Sequence, residues 1–384
     1  MILIRKGIYI HFFAVMLLLA ACGQRRQEPV VTPWGEISDT MAVDDGFDLD
    51  DIQRNGELIA LTLTGPETYY EYHGHHLGAQ YMLCQRFADQ LGVSLRIEVC
   101  RDTAEMCRRL ADGDADLMIL PPDTAGSARM LNWTVGSDKE NLAEELEAWY
   151  QPELLAEVRK EEDFLLSSRS VKRKVYSPML NRSGGVISHY DGHFRHYAQT
   201  IRWDWRLLAA QCYQESTFDP RAQSWAGACG LMQIMPTTAD HLGLPRGDIY
   251  DPEKNIAAAV KYLGELERAF ADIRERQERI KFVLASYNGG SFHIRDAMAL
   301  ARKNGRNATR WREVEPFVLG LSQPRYYNDP VVKNGYMRGS ETVDYVRKIH
   351  DRWNGYRGVR APHPTAPGGT PQKATHERKK KFQI

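Results

Sequence analysis

The sequence has no surplus of charge: fifty lysines and arginines balance fifty aspartates and glutamates over 384 residues. No global field therefore steers the chain toward nucleic acid, and no nucleic-acid partner is expected. It also lacks an apolar run of the roughly 20 residues that a membrane-spanning helix needs. The longest candidate, Ile8 to Ala21, is shorter and is interrupted by His11. Cysteine is scarce, six residues with no CxxC pair and no zinc-like spacing, so neither a metal nor a cofactor is called for. Apart from Cys22, the cysteines are Cys84, Cys100, Cys107, Cys212 and Cys229, an odd set that cannot pair completely. They read as small buried side chains, with room for one disulfide in an oxidising compartment. Composition is otherwise ordinary, 43% hydrophobic and 26% charged, which excludes a mostly disordered, collagen-like or many-helix membrane protein. The length accommodates two or three domains.

Arg5 and Lys6 followed by the short apolar run read as a signal peptide over residues 1–21. Leu19-Ala20-Ala21-Cys22-Gly23 matches the bacterial lipobox, which predicts lipidation of Cys22 and a membrane anchor. An ordinary secretory signal or an uncleaved anchor are the alternatives, and both still place the body outside the cytoplasm. Gly23 supplies no acidic retention signal, which favours the outer membrane facing the periplasm. Residues 22–54 are polar and then acidic, with Asp44, Asp45, Asp48, Asp50 and Asp51, and are expected to form a flexible tether.

From residue 55 to 180 the pattern becomes α/β. Leu58 to Leu63, Val93 to Val99 and Ala115 to Leu120 are strand-like, and Gln80 to Gln90 and Thr103 to Leu110 have helical spacing. This succession predicts a largely parallel sheet. The strings Phe87-Ala88-Asp89-Gln90-Leu91-Gly92-Val93 and Leu110-Ala111-Asp112-Gly113-Asp114-Ala115-Asp116-Leu117 resemble the opening lobe of family 3 periplasmic solute-binding domains. After Leu120-Pro121-Pro122 the chain passes almost at once to Trp133-Thr134-Val135 and a helical Asn141 to Tyr150, which resemble that family's closing segment. The second lobe is then missing or reduced. The resemblance implies a small ligand or a muropeptide as a partner of this domain. Tyr69, Tyr70, Tyr72, His73, His75 and His76 are expected in an exposed loop after the first strand, since no companion ligands argue for metal binding.

Ser183-Gly184-Gly185 marks a break, and residues 187–356 have helical spacing almost throughout. Residues 358–384, rich in Pro, Gly and Lys, read as a disordered basic tail. In the helical region Asp204 is a candidate N-cap, and Trp205, Leu208, Cys212 and Glu215 recur at spacings of three, four and three on one face. A carboxyl group is thereby set on an apolar stripe. Thr217-Phe218-Asp219-Pro220 must end the helix just beyond, which puts Glu215 at the negative end of the helix dipole. Burial and dipole both disfavour the ionised form, as a general acid requires. A Glu at a fraying end, or one paired with Arg221, is the ordinary alternative.

Trp225-Ala226-Gly227-Ala228-Cys229-Gly230-Leu231-Met232-Gln233-Ile234-Met235-Pro236 follows ten residues later. Together with Gln214-Glu215-Ser216, Ala285-Ser286-Tyr287-Asn288-Gly289-Gly290 and Glu341-Thr342 with Tyr345-Val346, it closely resembles the soluble lytic transglycosylase catalytic domain. The order of anchor, binding-type lobe and catalytic domain is similar to the membrane-bound F-type subfamily of lytic murein transglycosylases. The resemblance implies an α+β multidomain chain: a small α/β periplasmic-binding-type lobe, then a mainly α, goose-type lysozyme-like domain. It implies cleavage of the β-1,4 bond between N-acetylmuramic acid and N-acetylglucosamine of peptidoglycan, with 1,6-anhydromuramoyl ends as products. Glu215 would be the acid and base. Ser216, Ser224, Gly230, Gln233, Met235, Tyr287 and Asn288 would line the substrate site, and Tyr345 would orient the catalytic region. Glu341 either binds substrate or holds the C-terminal helices together. A hydrolysing lysozyme-type muramidase and a catalytically inactive peptidoglycan-binding or sensing lipoprotein are the other readings. Asp219, which a two-carboxylate hydrolase could recruit, is more simply a helix terminator.

Overall fold

A computed structural model describes residues 47–121, 131–167, 170–172, 180–181 and 183–358. The signal peptide, Cys22 and the basic tail from residue 359 lie outside them. The described residues belong to one compact unit that begins at Phe47.

The tether expected up to residue 54 ends earlier, because α1 (Leu49–Asn55) is a capped helix. Asp48 and Asp51 form a reciprocal capping box, and Ile52 is fully buried in the core beneath the sheet. The acidic run that read as solvating is thus partly a helix start. The Asp48 carboxylate also accepts the backbone N–H groups of Asn141 and Leu142 at 2.8 and 3.0 Å, so it caps a second helix. Those amide bonds outweigh its burial and hold Asp48 below the usual carboxylate range.

Beyond α1 come β1 (Glu57–Leu63), β2 (Tyr70–Tyr72), β3 (His75–Leu77), α2 (Ala79–Leu91), β4 (Ser94–Cys100), α3 (Thr103–Ala111), β5 (Leu117–Ile119), β6 (Trp133–Val135), α4 (Glu140–Trp149) and α5 (Pro152–Leu165). β1, β4, β5 and β6 form one sheet in the order β4-β1-β5-β6. β1 runs parallel to both neighbours, as the alternation of strand and helix predicts, and β6 closes the edge antiparallel to β5. Leu58, Ala60 and Leu61 are wholly buried, as expected of a central strand covered on both faces.

The Tyr- and His-rich segment departs from its expectation. Instead of an exposed loop it makes the β2-β3 hairpin, with His73 (φ 48°) and Gly74 (φ 73°) supplying the left-handed turn. Tyr70 and Leu77 are buried against Tyr336 of the helical region. Alternation along β2 sends Tyr70 and Tyr72 to one face, and a packing partner distant in sequence covers that face.

The helical region comprises α6 (Asp191–Ala198), α7 (Trp205–Ser216), α8 (Pro236–Leu242), α9 (Pro252–Ala269), α10 (Arg276–Gly289), α11 (Ser291–Lys303), α12 (Trp311–Gly320), α13 (Pro324–Tyr327) and α14 (Gly339–Tyr356). α7 is capped by Asp204 as expected. It is the central helix, with Leu207 through Cys212 all buried, and α6 and α14 pack against it. Cys84, Cys100, Cys212 and Cys229 are buried, Cys107 is exposed, and these five are free thiols.

Replacing Asp48 with alanine removes two helix caps at once and is expected to cost about 2 kcal/mol, since one cap is worth about 1. Urea denaturation of the full chain followed by far-UV circular dichroism measures the loss. A midpoint equal to that of the parent would contradict the double cap.

Candidate active site

α7 ends one residue after Glu215. Thr217 (φ 55°) and Phe218 (φ 64°) are both left-handed, a conformation rare for such residues, and Phe218 is held there by complete burial. Asp219 is also fully buried, and its carboxylate accepts the backbone N–H of Arg221 at 2.8 Å. Asp219 lies two residues beyond the helix C-cap at Thr217.

Glu215 lines a cleft of about 900 Å³. The Tyr345 hydroxyl, from α14, donates to its Oε1 at 2.5 Å. Gln211, one turn earlier on α7, places its amide Nε2 3.2 Å from the Tyr345 oxygen. Burial pushes Glu215 up to about 8; the Tyr345 hydrogen bond opposes the shift and the Glu341 charge adds to it. Burial therefore dominates, and it favours the protonated form of the side chain.

Tyr287 also lines the cleft, and its hydroxyl donates to the carbonyl of Met232 at 2.8 Å, tying α10 to the loop before α8. Asn288 accepts the Thr342 hydroxyl at 2.7 Å, which joins α10 to α14. Ser224 takes the Ala228 N–H at 3.0 Å across a tight loop. Gln233 (φ 49°) uses its amide to hold the carbonyls of Gly230 and Ala222 at 2.9 and 3.2 Å. Both side chains border the cleft, as does Met235 at the N-cap of α8.

Two expected substrate contacts lie elsewhere. Ser216 is fully buried and bonds back to the Cys212 carbonyl at 3.2 Å, away from the cleft. Gly230 (φ 78°) faces the core, where a Cβ would come within 2.5 Å of the Asn255 amide nitrogen. Its lack of a side chain serves the close approach of Asn255, which threads hydrogen bonds to Cys229, Ile249 and Met232. The substrate-contact role is accordingly withdrawn from both residues.

Glu341 has a partner that neither expectation named. The Tyr72 hydroxyl, on the β2-β3 hairpin, lies 2.8 and 2.9 Å from its two oxygens, His73 Nε2 lies 3.9 Å away and Arg338 Nε 3.8 Å. Burial would raise its pKa, but His73, Tyr72 and Arg338 together pull it below the usual carboxylate range. The hairpin reaches further into the cleft wall: Tyr72 stacks parallel to Trp225 at 6.1 Å and His75 bonds the Ala226 carbonyl at 2.8 Å. His76 pairs instead with Tyr69, so the three histidines diverge. Among the described residues no three His, Cys, Asp or Glu side chains are grouped as metal ligands.

Sequence reasoning missed Gln211, Trp225, Arg338, Thr342 and the cleft-facing role of Tyr72 and His73. Gln211 carried a usable signal, a polar residue four before Glu215 inside an apolar helix. Apart from Arg338, which pairs with Glu341 three residues on, the others acquire a role through contacts between segments more than 50 residues apart. Ser286 Oγ and His293 Nδ1, both on the cleft wall, are buried with no hydrogen-bond partner among the described residues.

Residues 192–309, within the helical region, match the family model described as the transglycosylase SLT domain. The chain is similar in sequence to proteins named membrane-bound lytic murein transglycosylase F. The protein of that name from Desulfosudis oleivorans is 43% identical over 147 residues, 38% of this chain and 32% of that protein. The one from Sodalis glossinidius is 27% identical over 415 residues, 78% of this chain and 87% of that protein. The two Pseudomonas putida proteins are each matched over only 33% of their own length, so the chain spans about a third of most such relatives. Among solved structures, the soluble lytic transglycosylase SLT70 from Escherichia coli is 27% identical with a TM-score of 0.29, covering 44% of this chain and 24% of that one.

Gly230→Ala is expected to destabilise the protein by about 2 to 4 kcal/mol through backbone strain and the Asn255 clash. Ser216→Ala should leave turnover within about twofold, because its hydroxyl serves only its own helix. Thermal melts and rates of peptidoglycan solubilisation read the two. A stable Gly230→Ala protein, or a Ser216→Ala protein without activity, would reverse these assignments.

Proposed function

We propose that this protein is a peptidoglycan lytic transglycosylase, cleaving the β-1,4 bond between N-acetylmuramic acid and N-acetylglucosamine and leaving 1,6-anhydromuramoyl ends. The observation that carries this reading is Glu215, a carboxyl group on the wall of a cleft of about 900 Å³ whose burial raises its pKa to about 8. Protonated Glu215 donates to the glycosidic oxygen as that bond breaks and positive charge grows at the muramoyl anomeric carbon, where the substrate's own 2-acetamido group can stabilise it. The resulting carboxylate, steadied by the Tyr345 hydroxyl, then takes the proton of the muramoyl C6 hydroxyl, whose oxygen closes the anhydro ring. Glu215 ends the cycle protonated, and no water is consumed.

A hydrolase of the usual kind would need a second carboxylate beside the bond, at about 5 to 9.5 Å from the first. Asp219 is committed to a backbone turn and Glu341 to the hairpin, which favours the single-acid route. A binding-only protein has no use for a carboxyl group held in its acid form. The relatives named membrane-bound lytic murein transglycosylase F support the same reading of substrate and of a place in the cell envelope. Cys22 would carry the lipid that anchors the chain to the outer membrane facing the periplasm. The α/β lobe would be the reduced solute-binding-type domain, with a small ligand or muropeptide as its partner.

Digestion of purified peptidoglycan followed by mass spectrometry of the muropeptides should give ends lighter by one water than hydrolysed ones. Hydrolysed ends alone would establish a muramidase, and no new ends would end the enzymatic reading. Glu215→Gln should lower kcat at least about 100-fold with the fold retained.

The pH dependence has a definite sign. Activity should fall as pH rises through about 8, where Glu215 loses its proton. The same raised pKa makes the native state lose stability from the ordinary carboxylate range upward until about pH 8. The Glu215→Gln protein should therefore melt above the parent by a margin that widens over that window and then levels off. A margin independent of pH would show that Glu215 ionises normally.

A further inference from the structure

The proposed mechanism asks more of Glu215 than a raised pKa. Only one of its two oxygens can face the scissile bond, and the proton must reside on that one. Tyr345 already addresses the other, donating to Oε1 at 2.5 Å. A tyrosine hydroxyl can equally turn round and accept, so something must set its direction.

Gln211 is fully buried on the turn of α7 below Glu215, and its Nε2 lies 3.2 Å from the Tyr345 oxygen. An amide nitrogen can only donate, so it occupies a lone pair of that oxygen and leaves the tyrosine's single proton for Oε1. The Gln211 Oε1 has no hydrogen-bond partner among the described residues. A buried amide that leaves half its capacity unused is costly, and leucine or methionine would fill the same apolar stripe without that cost.

We infer that Gln211 is a positioning residue: it fixes the Tyr345 hydroxyl as a donor to Oε1 of Glu215 and so leaves Oε2 as the oxygen that carries the transferable proton. In the first half-reaction this keeps the acidic O–H on the substrate side. In the second, the same fixed donor supports the carboxylate while Oε2 accepts the C6 hydroxyl proton. The inference rests on the proposed transglycosylase reading. The titratable groups facing Glu215 are Tyr345 and Glu341 from α14, Tyr287 from α10 and Cys212 from α7 itself, and only Tyr345 is bonded to Gln211.

The test compares the full chain with its Gln211→Met and Gln211→Asn variants, the first matched in size and the second polar but too short to reach Tyr345. Release of anhydromuropeptides is measured from pH 5 to pH 10, with kcat and KM separated. Losing the amide donor should lower kcat about 3- to 10-fold, the weight of one neutral hydrogen bond, with KM within about twofold. Because the carboxylate is then less well supported, the falling limb at high pH should move upward by about half to one pH unit. Added to Tyr345→Phe, either substitution should shift the limb no further. An active parent whose limb coincides with that of a folded Gln211 variant would overturn the role, as would a shift that persists in full without the Tyr345 hydroxyl. If Gln211→Met fails to fold, as judged by circular dichroism, Gln211→Asn decides alone. A parent that releases no anhydro products refutes the proposed function and is distinct from both outcomes.

Discussion

The hydrogen bond from Tyr345 to Glu215 joins the two helices on which the helical part of the molecule is built. α7 is the buried centre of the helical region and α14 its last element, 130 residues away in sequence. Bringing a tyrosine hydroxyl within 2.5 Å of the carboxyl group requires the apolar faces of both helices to be fully packed, with Leu208 and Cys212 on one and Val346 and Ile349 on the other buried together. The same packing surrounds much of the Glu215 side chain at the edge of the cleft, and that desolvation raises its pKa. Stability and acidity thus draw on one set of contacts.

The α/β lobe is tied to this arrangement by its hairpin and by Thr64 just past the end of β1, whose hydroxyl accepts the Tyr336 N–H at 3.4 Å. Tyr72 and His73 reach Glu341, one helical turn before Tyr345, while Tyr70 and Leu77 bury the aromatic ring of Tyr336. Tyr70 also donates to Glu162 on α5 at 2.8 Å. The hairpin is therefore held at both ends, by the helix behind the sheet and by the cleft. Glu341 in consequence stays charged, and its charge is felt at Glu215 as a further contribution toward the protonated form. Electrostatic influence on the acid passes from one part of the chain to the other through a single carboxylate.

Several side chains that a motif would assign to substrate instead build the loop that presents it. Gly230 admits Asn255, Ser216 closes on its own helix, and Gln233 staples the turn with its amide. Their residue types are demanded by backbone geometry, which leaves Ser286 Oγ and His293 Nδ1 as the buried polar atoms beside the cleft without a hydrogen-bond partner among the described residues. A conserved-looking pattern of residues does not by itself distinguish a ligand contact from a turn.

The sequence by itself determined most of the regular elements and the position of Glu215 on its helix. The strands at Leu58, Val93 and Ala115, the helices at Gln80 and Thr103, the Asp204 cap, the end of α7 near Ser216 and the placing of Glu215 on an apolar stripe follow from local periodicity, capping and chain-breaking chemistry, which act within a few residues. The helix at Leu49 was also local but hidden, because Asp48 and Asp51 read equally as solvating charge until a buried Ile52 gives them a cap to form. Only the tertiary structure decided what those residues meet: that Tyr345 and not Arg221 partners Glu215, that Gln211 stands behind Tyr345, and that an apparent surface loop of tyrosines and histidines is a wall of the cleft. These pairings join residues up to 269 positions apart. Their energy comes from desolvation and hydrogen-bond geometry that exist only once the chain has packed, so no local pattern encodes them.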